Sequence, residues 1–164
     1  MKACKLKFLS LAAALAMLAS VPLAGQTGPQ PKVPMNAQEK KNLQFVLDWW
    51  RQVIQARHVE LAEKYQAEDY IQHNPNIPTG RAAFVKAFGA RPPVNPIPDK
   101  LSPAPVAAFA RGDYVALIWE RQDKDPTDPS KMYYYNTFDV VRIENGKVQE
   151  HWDSAVKNPP GGGR

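Results

Sequence analysis

Thiol chemistry is missing from this chain. The sequence holds one cysteine, Cys4, which stands ahead of the first apolar run and not at the processing position where a lipid-anchored bacterial protein would carry it. With that leading segment removed no thiol remains, which excludes disulfides, cysteine nucleophiles and cysteine metal sites, so stability must come from an ordinary core. Blocks of like charge are missing as well. Basic and acidic residues are interspersed, and the formal charge of +5 falls to +2 without Lys2, Lys5 and Lys7. That balance gives no support to a nucleic-acid partner or a polybasic membrane contact. The apolar run from Phe8 to Ala19 is shorter than the ~20 residues that cross a bilayer, and no later stretch is long and uncharged enough. No transmembrane segment is expected, and there is no internal repeat.

What is present begins with an export signal. Lys2, Lys5 and Lys7 precede the alanine-rich run, and small residues follow at Ala24-Gly25, a pattern that predicts a signal peptide over 1–25 cleaved near 24–26. The mature protein is then expected in the periplasm or outside the cell, with no membrane association after cleavage. Residues 26–35, rich in Pro, Gly and Gln, read as a flexible linker, 36–157 as one domain, and 158–164 as a frayed tail.

Within that domain, helices come first. Asn36-Ala37-Gln38-Glu39 matches a capping box, and Leu43, Val46, Leu47, Trp50, Val53 and Ile54 recur at helical spacing. Val59 to Tyr65 predicts a second, short helix ending over Gln66 to Asp69. Thr79 is placed to cap a third over 81–88, where Phe84 and Phe88 share a face. Six prolines between Arg91 and Pro105 rule out a helix or a central strand there. Strand patterns follow at 106–110, 114–121, 132–143 and 147–156, with Gly112-Asp113 and Asn145-Gly146 as turns. Helices segregated from an antiparallel meander argue for an α+β domain.

Two polar segments stand out. Glu150-His151-Trp152-Asp153 places an imidazole and a carboxylate beside a large ring, and alternation puts His151 and Asp153 on one face with Glu150 and Trp152 on the other. Some eighty residues upstream, Tyr70-Ile71-Gln72-His73-Asn74-Pro75 holds a second histidine. An Asp153 facing an apolar cavity would have its charged form disfavoured and become suited to proton transfer. On a strand end it would instead cap a turn or pair with a surface lysine. His73 reads either as a partner acid/base group or as a histidine bonded within its own loop. His58 complements the end of the first helix, and no ligand spacing supports a metal site. Trp50, Trp119, Tyr70 and Phe138 supply rings for a pocket or for a core. Tyr133 to Tyr135 must alternate between faces, so at least one points outward or into a subunit interface.

The order of these parts, Tyr70 to Pro78 with Gly80, then Asp139-Val140-Val141-Arg142, the Glu144-Asn145-Gly146-Lys147 turn and Glu150 to Asp153, resembles the SnoaL-like polyketide cyclase branch of the NTF2-like superfamily over roughly 40–155. The resemblance implies a cone, in which a strongly curved, mostly antiparallel sheet packs on a long N-terminal helix and two short ones around an apolar cavity. It also implies aldol condensation without metal or cofactor, with one aspartate as acid/base, which Asp153 matches here. Relatives on the same cone isomerise, dehydrate, hydrolyse epoxides or only bind, and many pair through their sheets. The expectation is therefore an exported, cofactor-independent enzyme acting on a small apolar carbonyl compound, as a homodimer. Asp153 and His73 would be catalytic, with Tyr70, Trp119, His151, Trp50 and Phe138 binding substrate. The alternative is a non-catalytic ligand-binding or dimeric scaffold module. The two readings separate on whether Asp153 and His73 face one cavity.

Overall fold

The computed structural model describes residues 34–158. The expected export signal, most of the linker and the last six residues lie outside them.

The chain enters its first helix, α1 (Ala37–Trp49), through the expected capping box: Asn36 Oδ1 accepts from the Glu39 amide at 2.8 Å and the Asn36 amide donates to Glu39 Oε2 at 2.8 Å. Glu39 does a second job, accepting from the Gly112 amide with its other oxygen and so tying the helix start to the turn that follows the second strand. The helix continues into a π-helical turn, Trp50–Gln55. The wider turn keeps Trp49, Trp50 and Val53 buried together, and such π segments often mark functional sites.

A 3-10 turn (Val59–Leu61) leads into α2 (Ala62–Tyr65) and directly into β1 (Gln66–Gln72). The residues read as the fading end of the second helix are therefore the first half of a strand. Their polar composition conceals it, because Glu68 and Asp69 are exposed while Gln66, Tyr70 and Gln72 are buried. α3 spans Arg81–Phe88 and β2 Ala107–Arg111. Its N-cap is Gly80 at φ 101°, without a side-chain cap. Thr79, expected there, accepts instead from the Gln72 amide at 3.3 Å and so closes the loop that carries His73 and Asn74.

The remaining strands, β3 (Tyr114–Lys124), β4 (Met132–Glu144) and β5 (Lys147–Asp153), complete a five-stranded sheet of order β1-β5-β4-β3-β2. Only the β1/β5 pair is parallel. Asn145 and Gly146 turn between β4 and β5 with φ of 50° and 72°, the two left-handed positions that a two-residue hairpin needs. Gln149 is an extra residue opposite the Arg142/Ile143 step. This bulge falls before Glu150, so the alternation from Glu150 to Asp153 is regular.

One sheet face packs on α1, burying Val115, Leu117, Val141 and Val148 against Val46, Trp49 and Val53. Each such side chain contributes about 1.5–3 kcal/mol on full burial. The opposite face carries Phe109, Tyr114 and Phe138, each about half exposed.

Candidate functional site

Along β4 the inward positions run Asp139, Val141, Ile143. A carboxylate at a core position must be satisfied, and Asp139 Oδ1 lies 2.9 Å from His151 Nε2 on the neighbouring strand. The other imidazole nitrogen, Nδ1, lies 3.0 Å from Gln72 Oε1. That oxygen also accepts from the Asn74 amide at 3.0 Å, which fixes the orientation of the Gln72 carboxamide, so Nδ1 must carry a hydrogen and donate. One proton is then left to bridge Nε2 and Asp139. The pair is an imidazolium beside a carboxylate, or a neutral imidazole beside a carboxylic acid.

Gln72 Nε2 in turn donates to the Tyr70 hydroxyl at 3.0 Å. With that oxygen acting as acceptor, the Tyr70 O–H is free to donate. Burial, reinforced by the charges of Asp153 and Asp139, pushes the Tyr70 phenol far above its usual value, so the ring keeps its proton. Asp153, opposite Asp139 in the sheet, is held at both oxygens: Asn74 Nδ2 donates to Oδ2 at 2.7 Å and the Ala155 amide to Oδ1 at 2.9 Å.

These groups face a chamber of about 190 Å³, lined on its apolar side by Trp49, Trp50, Ile54, Phe84 and Phe88. It adjoins a wider hollow of about 570 Å³, with Trp50, Asn74, Ile77, Asp139 and Asp153 bordering both. The outer hollow is rimmed by Arg121, Tyr133 and Tyr135, the two tyrosine rings stacked at 5.5 Å.

Of the residues expected at a site, Asp153, Tyr70, His151 and Trp50 line the inner chamber. Trp119 does not border either hollow; it lies behind Trp50, stacked on it at 5.0 Å, so it supports the wall. Phe138 borders the outer hollow, but its place in β4 opposite Ile118 is that of the outer sheet face, and it is half exposed.

His73 departs most from expectation. It follows Gln72 by one position, so it points the other way. Its ring stacks flat on Trp152 at 4.5 Å, and Nε2 lies 3.0 Å from Glu150 Oε2. The expected pairing of His73 with Asp153 in one cavity is thus corrected: the imidazole inside is His151. Gln72, Asn74 and Asp139 went unassigned in the sequence. Two signals pointed to them, the shared parity of Gln72 with Tyr70 and the lone acid among alternating valine and isoleucine in β4.

The outer cluster makes its own prediction. Hydrogen bonds from His73 and then Arg142 hold the Glu150 carboxyl below its usual value. A lowered folded-state value adds stability in full above the unfolded value of about 4.3 and loses it as pH falls through the folded one. Glu150→Gln is expected to lower stability at pH 7 and to flatten the acid limb of a urea-midpoint curve measured between pH 7 and 3.

Asp139, His151 and Asp153 each present a ligand atom, all within 4.8 Å of one another, and such a set could hold a divalent cation. The 2.9 Å contact between Asp139 and His151 is a hydrogen-bond distance. Two ligands on a tetrahedral zinc ion at 2.0–2.1 Å stand roughly 3.3 Å apart, so metal binding would require them to separate.

A family model described as a SnoaL-like domain matches residues 46–151. The chain belongs to the SnoaL-like family. Among solved structures, an NTF2-like protein from Burkholderia xenovorans LB400 is 16% identical, covering 70% of this chain and 88% of its own at a TM-score of 0.50. This supports an NTF2-like fold for the SnoaL-like domain. A candidate polyketide cyclase from Acidithiobacillus ferrooxidans is 20% identical, covering 73% and 89%, with a TM-score of 0.48. A candidate ketosteroid isomerase from Kribbella flavida is 15% identical, covering 76% and 86%, with a TM-score of 0.49. A search of curated protein sequences returns no match for this SnoaL-like chain.

Proposed function

We propose that this protein is an exported, cofactor-independent enzyme that enolises a small, largely apolar carbonyl compound, as in an intramolecular aldol condensation. The observation that carries the proposal is the convergence of a carboxylate, a phenol O–H and a proton-holding imidazole on one chamber whose apolar side is aromatic and aliphatic. The Asp153 carboxylate removes a proton from the carbon beside the carbonyl. The Tyr70 O–H donates to the carbonyl oxygen as negative charge develops on it, a preorganised donor facing an apolar wall. In a condensation, the enolate carbon then bonds to a second carbonyl carbon of the same molecule, and the new alkoxide takes back the proton from Asp153. The aspartate ends as it began, and the proton balance closes without a redox partner. The proton shared by His151 and Asp139 lies within reach of the same chamber and can protonate the product when the reaction ends in isomerisation, after which Asp153 releases its proton to solvent and the pair takes one back.

The outward His73 fails the criterion of one cavity shared with Asp153 and on that count favours a binder. What favours catalysis is that His151 takes its place beside Asp153 and Tyr70, three proton-handling groups for which a non-catalytic binder has no use. The exposed Phe109, Tyr114 and Phe138 on the outer sheet face support the expected homodimer, because apolar patches of this kind mark contact surfaces.

Tyr70→Phe tests the role of the phenol. It is expected to lower the rate of α-proton exchange on a ketone substrate by about 10²-fold, the usual cost of one oxyanion donor. Stability should fall by about 1–3 kcal/mol, because the buried Gln72 Nε2 loses its acceptor. An undiminished exchange rate, followed by NMR in deuterated water, would remove Tyr70 from the mechanism.

A further inference from the structure

Arg121 is the one arginine or lysine bordering either hollow among the described residues. Its guanidinium is fixed from two sides: Nε donates to Thr137 Oγ1 at 3.2 Å, and the group lies over the Trp119 ring at 5.5 Å. No described carboxylate stands within salt-bridge distance of it.

 The ion pairs among the described residues all form elsewhere, those of the other arginines at Asp48, Glu39, Glu144 and Glu150. Asp123 borders the same hollow, but it is exposed and its charge is screened by solvent. Both terminal nitrogens of Arg121 therefore remain available, in a fork that matches a planar anion.

The register sets the spacing. Arg121 pairs with Tyr135, and Asp153 pairs with Asp139, so four residues of β4, about 13 Å at 3.3 Å per residue, separate the two levels. We propose that Arg121 anchors a carboxylate on the substrate, which is an elongated keto acid with its anion at the mouth, a flat apolar body beside Trp50 and Tyr135, and its carbonyl in the inner chamber. The position of the carbonyl rests on the enolisation reading; the anchor itself does not.

The test uses 4′-acetylbiphenyl-4-carboxylate and its neutral carboxamide, whose two rings hold the ketone and the polar group apart. Binding to the mature protein is measured by calorimetry. The carboxylate is expected to bind roughly tenfold more tightly than the carboxamide, the value of a charge-assisted contact. Arg121→Gln is expected to abolish that preference while binding the carboxamide as the parent does. Asp153→Asn is expected to retain it. Equal or tighter binding of the carboxamide, a preference that survives in Arg121→Gln, or failure of the parent protein to bind either compound would overturn the anchor. If the preference holds but Asp153→Asn still exchanges α-protons at the parent rate, the enolisation reading falls and the anchor stands.

Discussion

Asp153→Asn is expected to lower turnover by about 10²–10⁴-fold, the contribution of a positioned acid/base group, while leaving the fold intact. The carboxamide keeps the size of the side chain, and its oxygen can still accept from Asn74 Nδ2 or from the Ala155 amide, the two donors that hold the carboxylate. What it cannot do is take a proton from carbon. Circular dichroism and the urea midpoint should therefore stay close to those of the parent protein as the rate collapses. A combined loss of rate and structure would mark Asp153 as a structural residue of the β5 end.

His151→Ala should act in the opposite sense, on the fold first. His151 and Asp139 are both buried and bonded to each other at 2.9 Å. Removing the imidazole leaves a carboxylate without its partner inside the sheet-helix layer and deprives Gln72 Oε1 of one of its two donors. Breaking a buried pair in this way costs about 3–5 kcal/mol, a large fraction of the ~5–15 kcal/mol that keeps a domain folded. Urea unfolding of His151→Ala, Asp139→Ala and the double variant checks the cause. The double variant should lose clearly less than the two single losses added together, since the stranded charge is gone. Additive losses, or a His151→Ala loss under about 1 kcal/mol, would show that the pair is not the unit described here.

Much of this was legible from residues alone. The capping box at Asn36 and Glu39 and the Asn145-Gly146 turn appear where local chemistry demands them, because each depends on a few neighbouring residues. The alternation from Glu150 to Asp153 was readable for the same reason and put His151 and Asp153 together. β1 was hidden because it runs along the sheet edge with acids at its outward positions, so its composition imitates a helix end; its partner, β5, lies more than seventy residues away. Asp139 was hidden differently. Its pairing with His151 is a fact of strand register, and register is set across the whole sheet. His73 is misplaced by one residue's worth of parity: as a polar segment, Tyr70 to Pro75 offers His73 as a partner acid/base group, whereas its first half is the end of a strand with Gln72 inside and His73 beyond it on the outside.

The central claim is that proton transfer takes place on the inner face, at Asp153, and not at the outer histidine. Its most direct test is a side-by-side measurement of α-deuterium incorporation into 4′-acetylbiphenyl-4-carboxylate by NMR in deuterated water, with the parent protein, Asp153→Asn and His73→Ala. Incorporation is expected at the parent rate with His73→Ala and only at the solvent rate with Asp153→Asn. The reverse pattern, or incorporation by Asp153→Asn at the parent rate, would contradict the account.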